Sequence, residues 1–242
     1  MTADRMGDEG IGSRLRGHAI RLLWGLIIAS IVVLLLPYLI APLYRVMRPV
    51  STLMAWRAIT GQRVERIYVP LAQIAPTLPL TVILAEDGRF CAHHGLDLHG
   101  LREAFEEADN FAEMRGGSTI AQQTAKNLFL WQGRSYLRKA LELPLALWLD
   151  LVLGKRRLME VYLNIVEWGP NGEFGAEAAA RRAFGKAALR LSLSEAALMA
   201  AVLPNPVERD PRRPGPGLRR LAGIYQGRAV TFPTRDACLH KE

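Results

Sequence analysis

A chain of 242 residues has room for one membrane anchor and one well-cored domain, and hardly more. Half of its residues are hydrophobic and 22% are charged, a mixture that excludes a disordered chain. Thirty-one Lys and Arg against 23 Asp and Glu leave a net charge of +8, so the surface suits anionic partners: nucleic acid, acidic lipid head groups or phosphorylated substrates.

Residues 1–21 form a short N-terminal segment that ends at Arg21. From Leu22 to Tyr44 no residue is charged, and Arg21 and Arg45 bracket the stretch. That length suffices to cross a hydrocarbon core of about 30 Å, and Trp24, Tyr38 and Tyr44 lie towards its ends, where aromatic rings favour the interface. A cleaved signal peptide would have a shorter apolar core and a small-residue cleavage site, so the expectation is a retained transmembrane helix over 22–44. Arg14, Arg16 and Arg21 precede the span while Arg45, Arg48 and Arg57 follow it, and the count of positive charges leaves the topology open.

A membrane-proximal linker over 45–64 comes next, then a domain over 65–206 that reads as mainly α, with only scattered strand and turn signals before residue 80. A helix is expected to start at Ser118 behind a glycine pair. Arg134 to Leu153 predicts a long apolar helix kinked at Pro144, and Arg156–Asn164 and Ala176–Phe184 predict helices. A further helix is expected from Ser194, its N-cap, to Leu203. Prolines 204, 206, 211, 214 and 216 then predict a loose, basic tail over 207–242. Cys91 and Cys238 are far apart and match no metal spacing; outside the cytoplasm a disulfide is permitted, but two unpaired thiols are the expectation.

Four blocks carry chemistry. In the first, Glu86 and Asp87 follow an apolar helix end, with Arg89, His93, His94 and Gly95 close behind. A carboxyl group desolvated there has its pKa raised, which suits a general base; His93 and His94 lack a third ligand for zinc. The second runs from Arg115 to Asn127. On a helix its Gln122, Gln123, Lys126 and Asn127 would share one side, two amides and an ammonium apt for sugar hydroxyls and phosphate. The third spans Arg134 to Glu142, where Arg138 and Glu142 stand at i, i+4 and Glu142 sits on a greasy helix that tolerates a carboxylate only if it is paired or functional. The fourth, Lys155 to Asn164, gives a packing stripe; its Glu160, Tyr162 and Asn164 are expected to brace the fold and at most to stand behind residues that touch substrate.

Together the blocks resemble glycosyltransferase family 51, the peptidoglycan glycosyltransferases. The pattern E-D-x-x-F-x-x-H-x-G is met by Glu86, Asp87, Phe90, His93 and Gly95, and G-G-S-T-I-x-Q-Q-x-x-K-N by residues 116–127. R-K-x-x-E is met by Arg138, Lys139 and Glu142, and E-x-Y-L-N by Glu160, Tyr162, Leu163 and Asn164. Thirty-six residues follow Pro206 and no serine has a lysine three positions on, so a monofunctional member without transpeptidase activity is expected.

The resemblance implies a lysozyme-like, two-lobed helical domain on the periplasmic side of a bacterial inner membrane, anchored by a single pass. It implies polymerisation of lipid II into β-1,4-linked glycan strands, by inversion, with release of undecaprenyl pyrophosphate. Its implied catalytic residues are Glu86 and Glu142, and its substrate-binding residues Asp87, Arg89, Gln122, Gln123, Lys126, Asn127, Arg134 and Arg138. No tightly bound cofactor is expected; a divalent cation, Mg²⁺, is expected at the donor pyrophosphate, with Glu142 the residue to meet it. The implied partners are lipid II, the growing lipid-linked strand, the membrane and other cell-wall synthesis or division proteins, and no nucleic acid. Two rivals stay open: a lysozyme-like hydrolase, which also uses two carboxylates, and a membrane scaffold with a degenerate domain.

Overall fold

The computed structural model describes residues 5–106, 117–133 and 135–240. It divides into two units, Met1–Ile40 and Ala41–Glu242. The first holds helix α1 (Arg5–Ile40). The apolar stretch Ile20–Arg45 has a mean hydropathy of 2.6 and is long and apolar enough to cross a membrane. Its last residues, Ala41–Arg45, form a tighter 3-10 turn that opens the second unit, so the α-helix stops short of the expected Tyr44.

The second unit is helical, as the sequence predicts: nine α-helices, α1 included, and one two-residue strand pair occur among the described residues. Helix α2 (Thr52–Ile59) occupies the expected linker, capped by the Ser51 hydroxyl. Strand β1 (Glu65–Arg66) pairs in parallel with β2 (Glu173–Phe174). Helix α3 (Thr77–Glu86) is buried from Leu78 to Leu84 and packs against both α8 (Leu193–Val202) and α9 (Pro216–Thr231), which pack on each other. Helix α4 (Leu98–Glu106) follows. Helix α5 (Ile120–Phe129) lies along α6 (Tyr136–Ile165), and α7 is Ala176–Phe184. The loop between α3 and α4 rests on α6. Gly95 there has φ +80°, and a Cβ on it would lie 2.7 Å from the Ala146 carbonyl oxygen, so only glycine permits that approach.

Several expectations are corrected. Helix α6 passes through Pro144, because proline's missing donor concerns an exposed turn; the non-helical residue is Gly154 (φ 70°, ψ 165°), ten positions on. Arg45 Nε there donates to the Val152 carbonyl at 2.6 Å, serving one of the acceptors that the break leaves over. Helix α5 begins at Ile120, two residues after the expected Ser118, with Thr119 of the Ser-Thr pair as N-cap. Helix α8 is capped by Ser192 rather than Ser194, through a reciprocal pair with Glu195. The tail is not loose: Pro216 sits at the first turn of α9, where proline is favoured, and Ala222, Tyr225 and Ala229 bury one face of that helix. Nor are the cysteines free. Cys91 and Cys238 form a disulfide across 147 positions, pinning the chain's last turn to the loop after α3.

Candidate active site

Glu86 is the last residue of α3, raised there by an apolar run with no polar alternative, so its carboxylate emerges from the core half-buried. Burial pushes its pKa up. A hydrogen bond from Gln123 and the charges of Lys126 and Arg209 pull against that, and Asp87 adds to the rise. Gln123 Nε2 donates to Glu86 Oε2 at 2.7 Å.

Asp87, next in sequence, faces the interior. It accepts from the Ile120 amide at 3.0 Å and pairs with His93 Nε2 at 2.8 Å, so it ties the end of α3 to the first turn of α5. A carboxylate at a helix N-terminus is well placed, and both contacts turn Asp87 towards the interior. Gln122 is also internal: its side chain accepts from the Thr119 amide at 2.9 Å as half of the capping box, and it is buried. The expected row of four polar residues on α5 thus reduces to Gln123, Lys126 and Asn127. Asn127 donates to the Gln123 carbonyl at 2.9 Å, and Lys126 is a half-buried ammonium.

Glu142 lies on α6 at 3% exposure. Its two carboxylate oxygens meet separate cations, Oε1 the Arg138 guanidinium and Oε2 the Lys139 ammonium at 3.1 Å. Lys139 also donates to Ser118 Oγ at 2.8 Å, and Arg138 Nε to the Gly133 carbonyl at 3.0 Å. Burial and the charges of Arg138 and Lys126 push Lys139 down to about 8, and burial, then Arg138, pushes Lys126 down, partly offset by Glu86. Lys126 therefore feels Glu86 on one side and the Arg138–Lys139 pair on the other. Two of these three cations share one buried carboxylate and the third lies close enough to repel Arg138, an arrangement that a bound anion would relieve.

Arg89 is partly exposed, its Nε 3.5 Å from Asp97. Arg134 lies outside the described residues. His93 is buried on Asp87, whereas His94 is exposed with Nδ1 3.5 Å from Asp150. Among the described residues no group of three His, Cys, Asp or Glu could hold a metal.

The fourth block braces the fold, as expected. Glu160 accepts from the Tyr68 hydroxyl at 3.0 Å and the Leu71 amide at 2.9 Å, and Asn164 bonds the Val69 backbone through both ends of its amide. The structure adds residues that the sequence reading left out. Lys139 belongs to the cation cluster although only its motif position was noted. Arg209, between α8 and α9, and Tyr225, on α9, are close enough to Glu86 to interact electrostatically with it. No local sequence signal marks either one: Arg209 is held by the Ala201 carbonyl at 2.7 Å in the segment after α8, and Tyr225 arrives with the packing of the C-terminal helix.

Residues 53–225 match the transglycosylase family profile. The chain is 57% identical over 210 residues to the biosynthetic peptidoglycan transglycosylase of Nitrobacter hamburgensis, covering 87% of this chain and 93% of that one. It is 54% identical to the protein of that name from Rhodopseudomonas palustris strain TIE-1, over 87% and 89% of the two chains. The Agrobacterium fabrum protein of that name is 50% identical, over 84% and 91%. With four motif blocks folded around one half-buried carboxylate and a cation cluster, and with relatives matched along most of their length, this chain belongs to the transglycosylase family.

Proposed function

We propose that the protein is a peptidoglycan glycosyltransferase of cell-wall synthesis that polymerises lipid II, the pyrophosphate-linked disaccharide carried by undecaprenyl. One observation carries the reading: a carboxylate made basic by burial stands beside Lys126, which leads directly into the Arg138–Lys139–Glu142 cluster. Glu86 takes the proton from the 4-hydroxyl of the acceptor GlcNAc as its oxygen attacks C1 of the donor MurNAc. The new C1–O bond forms as the bond from C1 to the pyrophosphate oxygen breaks. The electron pair leaves with undecaprenyl pyrophosphate, and attack opposite an α-linked leaving group gives a β-1,4 bond. Lys126, Arg138 and Lys139 take up the charge that builds on the leaving pyrophosphate, and Glu142 holds the last two in place. Gln123 holds Glu86, while Arg89 and Asn127 contact the substrate outside this core.

The residues do not fit a divalent ion held by the protein. Glu142 gives both oxygens to cations, and it belongs to no group of three His, Cys, Asp or Glu that could hold a metal among the described residues. A magnesium ion on the pyrophosphate would arrive as part of the substrate.

The disulfide supports a periplasmic domain, because such bonds persist in oxidising compartments and are rare in the cytosol. That argument is independent of the arginine count, and it supports the reading of α1 as a single-pass inner-membrane anchor.

The test is polymerisation of labelled lipid II by the purified full-length chain in detergent with Mg²⁺. Long strands are expected; release of disaccharide without strands would favour the hydrolase. Two variants test the cation cluster. Lys126→Met is expected to lower kcat about 10²-fold, read from strand formation at saturating lipid II. Removing that charge also raises Glu86 further, so the acid limb of the pH profile moves upward. For Lys139 the sign runs the other way. Its charge is present below pH about 8 and lost above it, so kcat/KM is expected to fall as the pH climbs through that value. Lys139→Arg, always charged, is expected to flatten that limb, and an unchanged limb would remove Lys139 from the donor site.

A further inference from the structure

We propose that Tyr162, buried behind the site on α6, is a positioning residue that holds Glu86 in its proton-accepting form by fixing the side-chain amide of Gln123. The proposal rests on the reading of Glu86 as the base. Tyr162 is fully buried, and its hydroxyl donates to Gln123 Oε1 at 3.0 Å; Gln123 Nε2 in turn donates to Glu86 Oε2 at 2.7 Å. Three side chains from three helices form one directed chain of hydrogen bonds, from α6 through α5 to the end of α3.

The direction matters. An ionised carboxylate only accepts, so it needs the nitrogen end of the Gln123 amide. A free glutamine can turn over and offer its oxygen instead, which an ionised Glu86 would repel and a protonated Glu86 would welcome. Tyr162 decides between these states. Its hydroxyl hydrogen finds its acceptor on Gln123 Oε1, and turning the amide over would leave the hydroxyl of a fully buried tyrosine facing an N–H. Burial, followed by the charges of Glu86 and Asp87, raises Tyr162 well above the usual phenol range, so it remains a donor at every working pH. The motif reading that placed Tyr162 as a brace is thereby sharpened: it braces a proton affinity as well as a helix.

Other groups face Glu86 and set the background. Asp87 adjoins it at the end of α3, Lys126 comes from α5, Arg209 from the segment between α8 and α9, and Tyr225 from α9. Arg228, also on α9, is turned to the Leu84 carbonyl at 3.2 Å. None of these replaces the lost donor when Tyr162 is changed.

The experiment is the pH dependence of kcat/KM for lipid II with the full-length chain, comparing wild type, Tyr162→Phe, Gln123→Met and the double variant, each checked for folding by its thermal transition. Tyr162→Phe is expected to move the acid limb upward by about one unit, so that activity below the limb falls roughly tenfold while the deficit narrows at higher pH. Gln123→Met is expected to move the limb the same way. The double variant should shift no further than the larger single one, because both act through one bond. A folded Tyr162→Phe with an unmoved limb, or additive shifts, would overturn the relay. Glu86→Gln separates the two readings: if it is inactive while Tyr162→Phe leaves the limb in place, the base stands and the relay falls. If Glu86→Gln remains active with the wild-type limb, the base falls and the relay with it. Should Phe at 162 fail to fold, 3-fluorotyrosine at that position keeps the ring and strengthens the donor. It is expected to move the limb downward, and no movement would count against the proposal.

Discussion

Glu86→Gln is expected to lower strand formation by up to about 10⁴-fold, the full contribution of a general base, without lowering stability. The substitution keeps the shape of the side chain and removes only its capacity to take a proton. Stability follows from the sign of the pKa shift. Glu86 is raised by burial, so its ionised form is disfavoured in the folded state, and a neutral amide relieves that cost. At neutral pH the variant should therefore melt no lower than wild type, and the two should converge as the pH falls through the Glu86 titration. Strand synthesis measured beside a thermal melt distinguishes loss of chemistry from loss of fold. A folded variant that keeps a tenth or more of wild-type activity would move the base elsewhere, with Glu142 the next candidate. That outcome would be hard to reconcile with Glu142 as found, 3% exposed between Arg138 and Lys139.

Much of this site was legible in sequence because its chemistry is local. An apolar run that ends in Glu86 predicts a half-desolvated carboxylate, and Arg138 with Glu142 at i, i+4 predicts a pair on one helix. The helix starts were legible too, but for α8 the sequence reading took Ser194 in place of the capping box. Thr119-x-x-Gln122 and Ser192-x-x-Glu195 both satisfy that pattern, and both are the observed caps. Taking Gln122 as a capping residue would also have removed it from the substrate face. What could not be read is whatever depends on distant packing. Tyr225 approaches Glu86 only because α9 folds back onto α3 and α8, and Arg209 only because the segment after α8 turns back to the Ala201 carbonyl; the prolines ahead of α9 hid that helix. The disulfide is of the same kind: two cysteines 147 positions apart carry no spacing signal, and only the fold brings their Cα atoms to 5.5 Å.

Breaking that disulfide is expected to produce the largest change in stability available from a conservative substitution in this chain. A bridge across 147 positions removes loop entropy from the unfolded state worth about 5 kcal/mol in the chain-entropy model, and native bridges typically contribute about 2–5 kcal/mol. For a domain of this size each kcal/mol moves the midpoint by about 3 °C, so Cys91→Ser with Cys238→Ser should melt roughly 6–15 °C lower. Reductant should lower the wild type similarly and leave the double variant unmoved. The effect should also reach the chemistry, because the last turns of the chain grip the catalytic turn at three places. Arg228 donates to the Leu84 carbonyl at 3.2 Å, Arg235 to the Gly88 carbonyl at 3.4 Å, and Cys238 bonds Cys91. The first two hydrogen bonds are to partly buried or exposed groups and are weak alone, so the covalent bond keeps the segment in register. Once it is cut, α9 frays from its end towards Tyr225, and Glu86 loses neighbours that set its charge. Strand synthesis should then fall more steeply with temperature in the serine variant than in wild type, and amide exchange should quicken first beyond residue 225. Equal melting points for oxidised and reduced wild type would show that packing alone holds the segment, and the periplasmic argument would then rest on the bond's existence and not on its use.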